Sequence, residues 1–179
     1  MSTQAARLNP AQWKNAEAVL RQAPVAYLAM VEDAPESGRT AAAPYVVPIN
    51  FAYERLSGAA DAPGLSATRL LFHTGAGRKT EALARNPRVC LAVTTEMAFD
   101  AGPSPCEDGF AYRSVLVWGR AAPLEGPVEK EQALREIVAK YDPGAAGRAF
   151  DDQDFERTLV FAVTIDAVSY KERLLRRPG

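Results

Sequence analysis

The stretch VCLAVT, residues 89–94, alternates larger apolar side chains with small or polar ones. A period of two indicates a β-strand with one buried face, because successive side chains of a strand point to opposite sides. The Asn86-Pro87 pair just before it ends a short helix that is predicted over 78–85. A loop with two prolines is predicted to follow over 96–109. This stretch therefore favours a fold built on a β-sheet.

Strands predominate in the rest of the chain. They are predicted over 25–31, 70–73, 112–118 and 159–165, with an extended stretch containing Pro44 and Pro48 over 40–54. Helices are predicted over 10–22, 78–85 and 127–141, and turns or loops over 33–38 and 57–68. This order lacks the regular strand–helix alternation of a parallel doubly wound sheet. It predicts an antiparallel β-barrel with peripheral helices, a single domain over 1–179 with its barrel over about 25–170.

Composition excludes several classes of protein. The 179 residues carry 21 basic and 22 acidic side chains, so neither nucleic acid nor an anionic membrane is expected as a partner. One histidine and two cysteines cannot supply a four-ligand Cys/His zinc site, and no metal is expected. No stretch reaches the ~18 apolar residues of a membrane span, and the start of the chain has no signal-peptide pattern. A cytoplasmic protein is therefore expected.

A candidate anion site lies in FHTGAGRKT, residues 72–80, where a glycine-containing turn joins a strand to a helix. The positive end of a helix dipole favours an anion, which the cations of Arg78 and Lys79 could hold. The phosphate-loop pattern fails, because Arg78 and His73 stand where it requires glycines, so an NTPase is not expected. The spacing leaves two alternatives open: a phosphate site, or an ordinary helix start with two solvated cations.

His73 is the only histidine, so any acid–base step by an imidazole must use it. The alternative is a strand-end histidine that is satisfied by neighbouring backbone. No serine lies in a Gly-x-Ser-x-Gly pentad, so nucleophilic hydrolysis is not expected. The acidic run over 151–156 favours a loop or helix start over a calcium site. Arg173, Arg176 and Arg177 are expected to form a solvated tail.

Four blocks of the sequence together carry a family resemblance. They are PYVVPINF at 44–51, FHT with GRK at 72–79, NPRVC at 86–90, and YRSV with the following Gly119 at 112–119. In this order and spacing the chain resembles the pyridoxamine 5′-phosphate oxidase-like flavoproteins, and within them the nitroimidazole-resistance branch. The resemblance covers about residues 26–121, and the predicted elements over 127–141 and 159–165 also match it.

The resemblance implies a Greek-key, FMN-binding split β-barrel that forms a homodimer with the flavin at the subunit interface. The cofactor-binding residues, carried over by position, would be Val47, Pro48, Ile49, Asn50, His73, Thr74, Arg78, Lys79 and Ser114. In that arrangement the strand over 47–50 runs along the isoalloxazine ring, and the two cations hold the flavin phosphate. A second copy is expected to cover a strand surface that includes Val115, Val117 and Trp118.

The same resemblance implies an oxidoreductase acting on a small molecule, with His73 as the candidate catalytic residue beside the flavin. The oxidase proper has basic residues where Val47 and Ala52 stand here. It also ends in an Arg-containing substrate motif that residues 172–177 do not reproduce, so pyridoxamine 5′-phosphate oxidation is not expected. The alternative function is a carrier or sensor without efficient turnover, which binds flavin, or haem or a deazaflavin in its place.

Overall fold

The structure, a computed structural model, describes residues 8–32, 42–56 and 68–176. The helices in these ranges are α1 (Pro10–Gln22), α2 (Arg78–Arg85), α3 (Pro127–Tyr141) and α4 (Asp152–Arg157). The strands are β1 (Ala26–Glu32), β2 (Ala43–Ile49), β3 (Ala52–Arg55), β4 (Thr68–Thr74), β5 (Arg88–Asp100), β6 (Gly109–Pro123) and β7 (Leu159–Arg173). The predicted turn over 33–38, the predicted loop over 57–68 except its last residue, and Arg177 lie outside the described residues. The one-domain assignment for 1–179 stays a prediction.

All seven strands join one antiparallel sheet in the order β2-β1-β5-β6-β7-β4-β3. Its two outermost strands, β2 and β3, are consecutive in the chain and are linked only by Asn50 and Phe51, here called the crossover. Three Cα–Cα steps span at most about 11 Å, so the two edges of the sheet must approach each other. The sheet therefore curls into a barrel that is split between β2 and β3, which confirms the predicted fold class.

The edge position of β2 explains its two prolines. Pro44 and Pro48 lie opposite Val31 and Tyr27 of β1, which is the only sheet neighbour of β2. Proline has no N–H to donate, so it is tolerated in a strand whose second side carries no ladder. The extended stretch predicted over 40–54 is thus two edge strands separated by the crossover.

The buried apolar side chains form two clusters. The barrel interior is the larger one, in which the rings of Phe72 and Phe161 stack with centroids 5.2 Å apart. The smaller cluster lies under α3, whose Leu134 and Ile137 pack against β3, β4 and β7. Both residues lie on one face of α3 and are buried.

The helix starts follow local sequence rules. The Asn9 side chain accepts from the Gln12 N–H and the Gln12 side chain accepts from the Asn9 N–H, so a capping box begins α1. One face of α1 is buried at Ala16, Val19 and Leu20. The acidic run over 151–156 starts α4, with Asp151 as its cap. None of the helices in the described part of the chain is long and apolar enough to cross a membrane.

The predicted loop over 96–109 is wrong in part, because the strands on either side extend into it. β5 continues to Asp100 and β6 begins at Gly109, so the connection covers only residues 101–108. A bulge at Glu96, where φ is 55°, shifts the β5–β6 register between Thr95 and Ala98. Alternation breaks at such a bulge, so the continuing strand did not show in the sequence pattern.

The predicted solvated tail is also wrong for its two described arginines. Arg173 is the last residue of β7, and its guanidinium lies 3.3 Å from the buried Asp100 carboxylate. Arg176 donates its backbone N–H to the same carboxylate at 3.2 Å and a guanidinium N–H to the Glu107 carbonyl at 2.7 Å. The C-terminal segment is therefore bound to the β5–β6 hairpin.

The residues of β6 that point outward differ in part from those expected to meet a second copy. Val115 and Val117 face the barrel interior and are fully buried. Leu116 and Trp118 point outward and keep 36% and 38% of their surface exposed. The run over 115–118 is apolar on both faces, so the sequence could not decide which face of β6 is the inner one.

Candidate functional site

The first turn of α2 is an open site at the end of β4. Gly77 precedes the helix with φ at 148°, in the region that favours glycine. Its N–H donates to the Thr80 hydroxyl at 3.0 Å, and that hydroxyl donates back to the Gly77 carbonyl at 2.7 Å. A Cβ added at Gly75 or Gly77 would meet nothing within 4 Å. Helical hydrogen bonds start with the Glu81 N–H, so the N–H groups of 78–80 have no partner inside the helix.

Lys79 adds a positive charge to this turn. Its half-buried ammonium donates to the hydroxyl of Thr74, the last residue of β4, with Nζ and Oγ1 3.2 Å apart. Desolvation lowers the pKa of Lys79 from its ordinary value. An anion beside the turn would therefore gain from the Lys79 cation and from the backbone N–H groups of the first helical turn, whereas the Thr74 hydroxyl already donates to the Gly75 carbonyl at 3.1 Å. This turn has both the space and the donors for a phosphate.

Arg78 is engaged differently from its neighbour. Its guanidinium makes two 2.6 Å hydrogen bonds to the Glu32 carboxylate at the end of β1. It also lies over the Tyr45 ring of β2, with its central carbon 4.4 Å from the ring centroid. The hydrogen bonds that Arg78 donates to Glu32 raise the pKa of Arg78. The two cations that the sequence grouped are thus unequal, because Arg78 already has a carboxylate partner.

His73 lies next to Thr74, exposed, and opposite Val160 of β7. Desolvation, followed by the positive charge of Lys79, lowers the pKa of His73 below its ordinary 6.5. The imidazole is therefore neutral at pH 7 and can donate a proton from one ring nitrogen while accepting at the other. No group of three or more His, Cys, Asp and Glu side chains within the described residues is arranged to hold a metal ion.

The strand over 47–50 approaches the same region from the other edge of the sheet. Ile49 is buried, so it can offer only its backbone to a ligand, whereas Asn50 is exposed at the crossover. The first β3–β4 pair is Ala52 with Leu71, and Asn50 and His73 each lie two residues beyond that pair, at the same end of the ladder. Arg78 contacts the Tyr45 ring near the start of β2 and so joins α2 to this strand. The first turn of α2 therefore lies beside the end of β4 and the start of β2.

Ser114 lies far from these groups within one chain. It pairs with Lys171 of β7, whereas His73 pairs with Val160 of the same strand. The difference, 171 − 160, is 11 residues, or about 36 Å of strand at 3.3 Å per residue. A shallow cavity of about 310 Å³ adjoins this far end and is lined by the β5–β6 hairpin and residues 173–175. One chain therefore carries the candidate residues in two separate places.

Three residues of the site were not identified from the sequence. Glu32 and Tyr45 contact Arg78, but they lie on other strands, and no local pattern connects residues that far apart. Thr80 could have been identified, because a side chain that can hydrogen-bond, three positions after the N-cap residue of a helix, is a capping pattern. The cofactor-binding and catalytic roles given to the candidate residues stay predictions.

The fold and this site define a class of protein, an antiparallel split β-barrel with an open helix start beside the split. A sequence model of the family described as pyridoxamine 5′-phosphate oxidase matches residues 12–172. The chain therefore belongs to that family, which confirms the resemblance seen in the four sequence blocks. No curated protein matches the chain.

Several solved structures share the fold. A proposed 5-nitroimidazole antibiotic resistance protein from Bacteroides thetaiotaomicron is 24% identical with a TM-score of 0.66, over 88% of this chain and 81% of that one. A flavocytochrome from Azotobacter vinelandii is 25% identical with a TM-score of 0.69, over 94% and 69%. An FAD- and haem-binding protein from Mycobacterium smegmatis is 23% identical with a TM-score of 0.67, over 90% and 71%.

Proposed function

We propose that this protein binds FMN and transfers electrons or hydride between the flavin and a small-molecule substrate. The observation that carries the proposal is the start of α2, where the Lys79 ammonium and the Thr74 hydroxyl lie beside free helix N–H groups and open space. These are the partners that a terminal phosphate prefers. Membership of an oxidase family and the flavin-binding neighbours support a flavin as the group that carries this phosphate.

Different residues of the chain would bind the two ends of the flavin and handle protons. A bound flavin supplies the redox chemistry, and the protein supplies binding, orientation and control of protons. Residues 47–50 offer edge-strand backbone groups to the ring, while Lys79 holds the phosphate end. His73, whose pKa is lowered by desolvation and which lies at the same end of the β3–β4 ladder as Asn50, would hold a substrate or exchange a proton with it.

A second candidate function is carriage or sensing of a flavin or haem without efficient turnover. Two of the structural neighbours are described as a flavocytochrome and as an FAD- and haem-binding protein, which favours this candidate. It shares the anion site with the first candidate but needs no proton donor. His73 is therefore the residue at which the two candidates differ.

The cofactor itself is the first test. We expect the purified protein to be yellow and to release FMN on denaturation, because the site described above accepts one phosphate and the sequence has no dinucleotide fingerprint after a strand. Absorption spectroscopy and chromatography of the released cofactor measure this. Release of FAD or haem, or a protein that stays colourless after incubation with FMN, would contradict the FMN proposal.

We also propose that two copies of the chain pair through the outer face of the sheet. Apolar side chains lie on this face across β2, β1 and β6, where Val46, Tyr27, Leu116 and Trp118 are exposed. The β1–β5 and β5–β6 registers place small residues between them, so the face is smooth and apolar. Such contiguous apolar surfaces are typical of protein interfaces.

Light scattering at micromolar concentration tests the pairing. We expect twice the chain mass of 19.3 kDa for the flavin-loaded protein, and the mass of one chain for a Trp118→Glu variant, because a charge would be buried in the apolar contact. The control is Gln132→Glu, which adds the same charge at an exposed position of α3. A single-chain mass for the unmodified protein would overturn the proposal.

A further inference from the structure

Tyr141, the last residue of α3, joins three segments of the chain through one oxygen atom. Its hydroxyl accepts a hydrogen bond from the Phe51 N–H at 2.9 Å. It donates to the Pro24 carbonyl at 2.7 Å, with the Phe51 carbonyl 3.2 Å away as a second acceptor. The junction before β1, the crossover between β2 and β3, and the end of α3 therefore meet at this hydroxyl.

The crossover needs such a partner because it lies between two ladders. The last β1–β2 pair is Ala26 with Ile49, and the first β3–β4 pair is Ala52 with Leu71. Asn50 and Phe51 fall between these pairs and leave one edge of the sheet for the other. A backbone N–H that leaves a ladder in a buried place must find another acceptor, and the Tyr141 hydroxyl provides it.

A second side chain of α3 holds the ring of the same residue. The Lys140 ammonium lies 3.4 Å from the centroid of the fully buried Phe51 ring. It also donates to the Leu20 carbonyl at 3.4 Å. Phe51 is therefore fixed at its backbone by one residue and at its ring by the next, while α3 itself is anchored by the apolar cluster beneath it.

We propose that Tyr141 is a positioning residue, whose hydroxyl fixes the crossover and thereby sets the place of the Asn50 group and the Ile49–Asn50 backbone against the bound flavin ring. The proposal rests on the proposed flavin function. Asn50 is exposed, is adjacent to the bonded Phe51 amide, and lies at the same end of the β3–β4 ladder as His73. Because no ladder holds Asn50, a shift of the neighbouring peptide moves it directly. Tyr141 itself touches only protein backbone and acts through the crossover.

Tyr141→Phe removes the hydroxyl and keeps the ring, and Tyr53→Phe makes the same chemical change on β3. Tyr53 is buried just beyond the crossover, and none of the hydrogen bonds found among the described residues joins its hydroxyl to Asn50 or Phe51. Three quantities would be measured for both variants and the unmodified protein: hydrogen exchange of the Phe51 amide without flavin, the FMN dissociation constant, and the visible absorption band of bound flavin. Melting of the apo-protein checks that each variant is folded.

We expect Tyr141→Phe to speed exchange of the Phe51 amide, to weaken FMN about tenfold as for one lost hydrogen bond, and to shift the flavin band, which reports polar contacts of the ring. Tyr53→Phe should change none of the three. Unchanged amide exchange in Tyr141→Phe would overturn the proposal, and so would faster exchange with unchanged affinity and spectrum, which is a merely structural role. Equal losses in both variants would also overturn it. If the unmodified protein binds no flavin, the proposed function fails and the positioning role fails with it, whereas the other contrary results leave flavin binding intact.

Discussion

Replacing Lys79 by methionine separates the phosphate interaction from every other part of cofactor binding. Methionine keeps an unbranched side chain of good helix propensity, so α2 should persist. The ammonium is half-buried and bonded to the Thr74 hydroxyl at 3.2 Å, and it lies in the first turn of the helix. The substitution therefore removes one charge from the proposed phosphate site and leaves the surrounding backbone in place.

The expected magnitude follows from that geometry. A hydrogen bond to a charged group contributes about 1.5–3 kcal/mol. Because the Lys79 side chain is partly exposed, screening by solvent reduces this to about 1–2 kcal/mol. The corresponding rise in the FMN dissociation constant is about 5- to 30-fold. Riboflavin has the same ring but no phosphate, so its dissociation constant should not change.

Quenching of flavin fluorescence on titration with apo-protein measures both ligands in one assay. Arg78→Met is the matched comparison, because it removes a cation from the adjacent residue. Its guanidinium is mostly exposed and is bonded twice to Glu32, so we expect a smaller loss of FMN affinity than for Lys79→Met. Equal losses of FMN and riboflavin affinity in Lys79→Met, or a larger effect of Arg78→Met, would refute the reasoning.

Three further outcomes are expected. His73→Ala should retain FMN but lower the reduction of a nitroaromatic or quinone acceptor by about 10²-fold, and equal rates at matched flavin occupancy would favour the carrier function. Burial lowers the pKa of Lys140 to about 8 from 10.5, so between these values the unfolded chain binds more protons and the free energy of unfolding should rise with pH. Chemical denaturation should show this rise for the unmodified protein and a smaller rise for Lys140→Met, in which Lys79, whose pKa is also lowered, still contributes. Gly119→Ala should destabilise by about 1–3 kcal/mol, because its Cβ would collide with the Thr164 carbonyl and lie 2.9 Å from a Val163 methyl; an unchanged melting temperature would contradict this.

Local sequence patterns predicted most of the elements because the forces behind them are local. The cap and proline at the start of α1 and the glycine–proline start of α3 fix where those helices begin. The period-two run at 89–94 identifies β5 as a strand with one buried face, and the short apolar runs at 70–72 and 159–163 identify β4 and β7, which bury side chains on both faces. Period two cannot say how far a strand continues past a bulge, so β5 and β6 are longer than predicted.

Which strands pair, and which face of each is inside, depends on contacts that no window of sequence contains. Leu116 and Trp118 are as apolar as Val115 and Val117, and only the assembled barrel makes one pair internal. The ion pair of Arg78 with Glu32 has the same origin, since 46 residues separate its partners. The C-terminal arginines, which were expected to be solvated, are a third case. Arg173 and Arg176 bind Asp100, and this contact exists only because β5 and β7 both extend that far.

The separation of Ser114 from His73 is explained if two chains form the site. Both residues belong to the same curved sheet, about 36 Å apart along β7, and the exposed Leu116 and Trp118 lie on β6 between these levels. Under the proposed pairing, a two-fold axis that lies in this apolar face and runs perpendicular to β6 exchanges the two ends of the sheet, because it reverses the strand direction of one copy relative to the other. The Ser114 end of one copy would then lie over the His73 end of the other. On this proposal, the residues that the family resemblance grouped form one site only when two chains pair, and loss of pairing should weaken flavin binding as well.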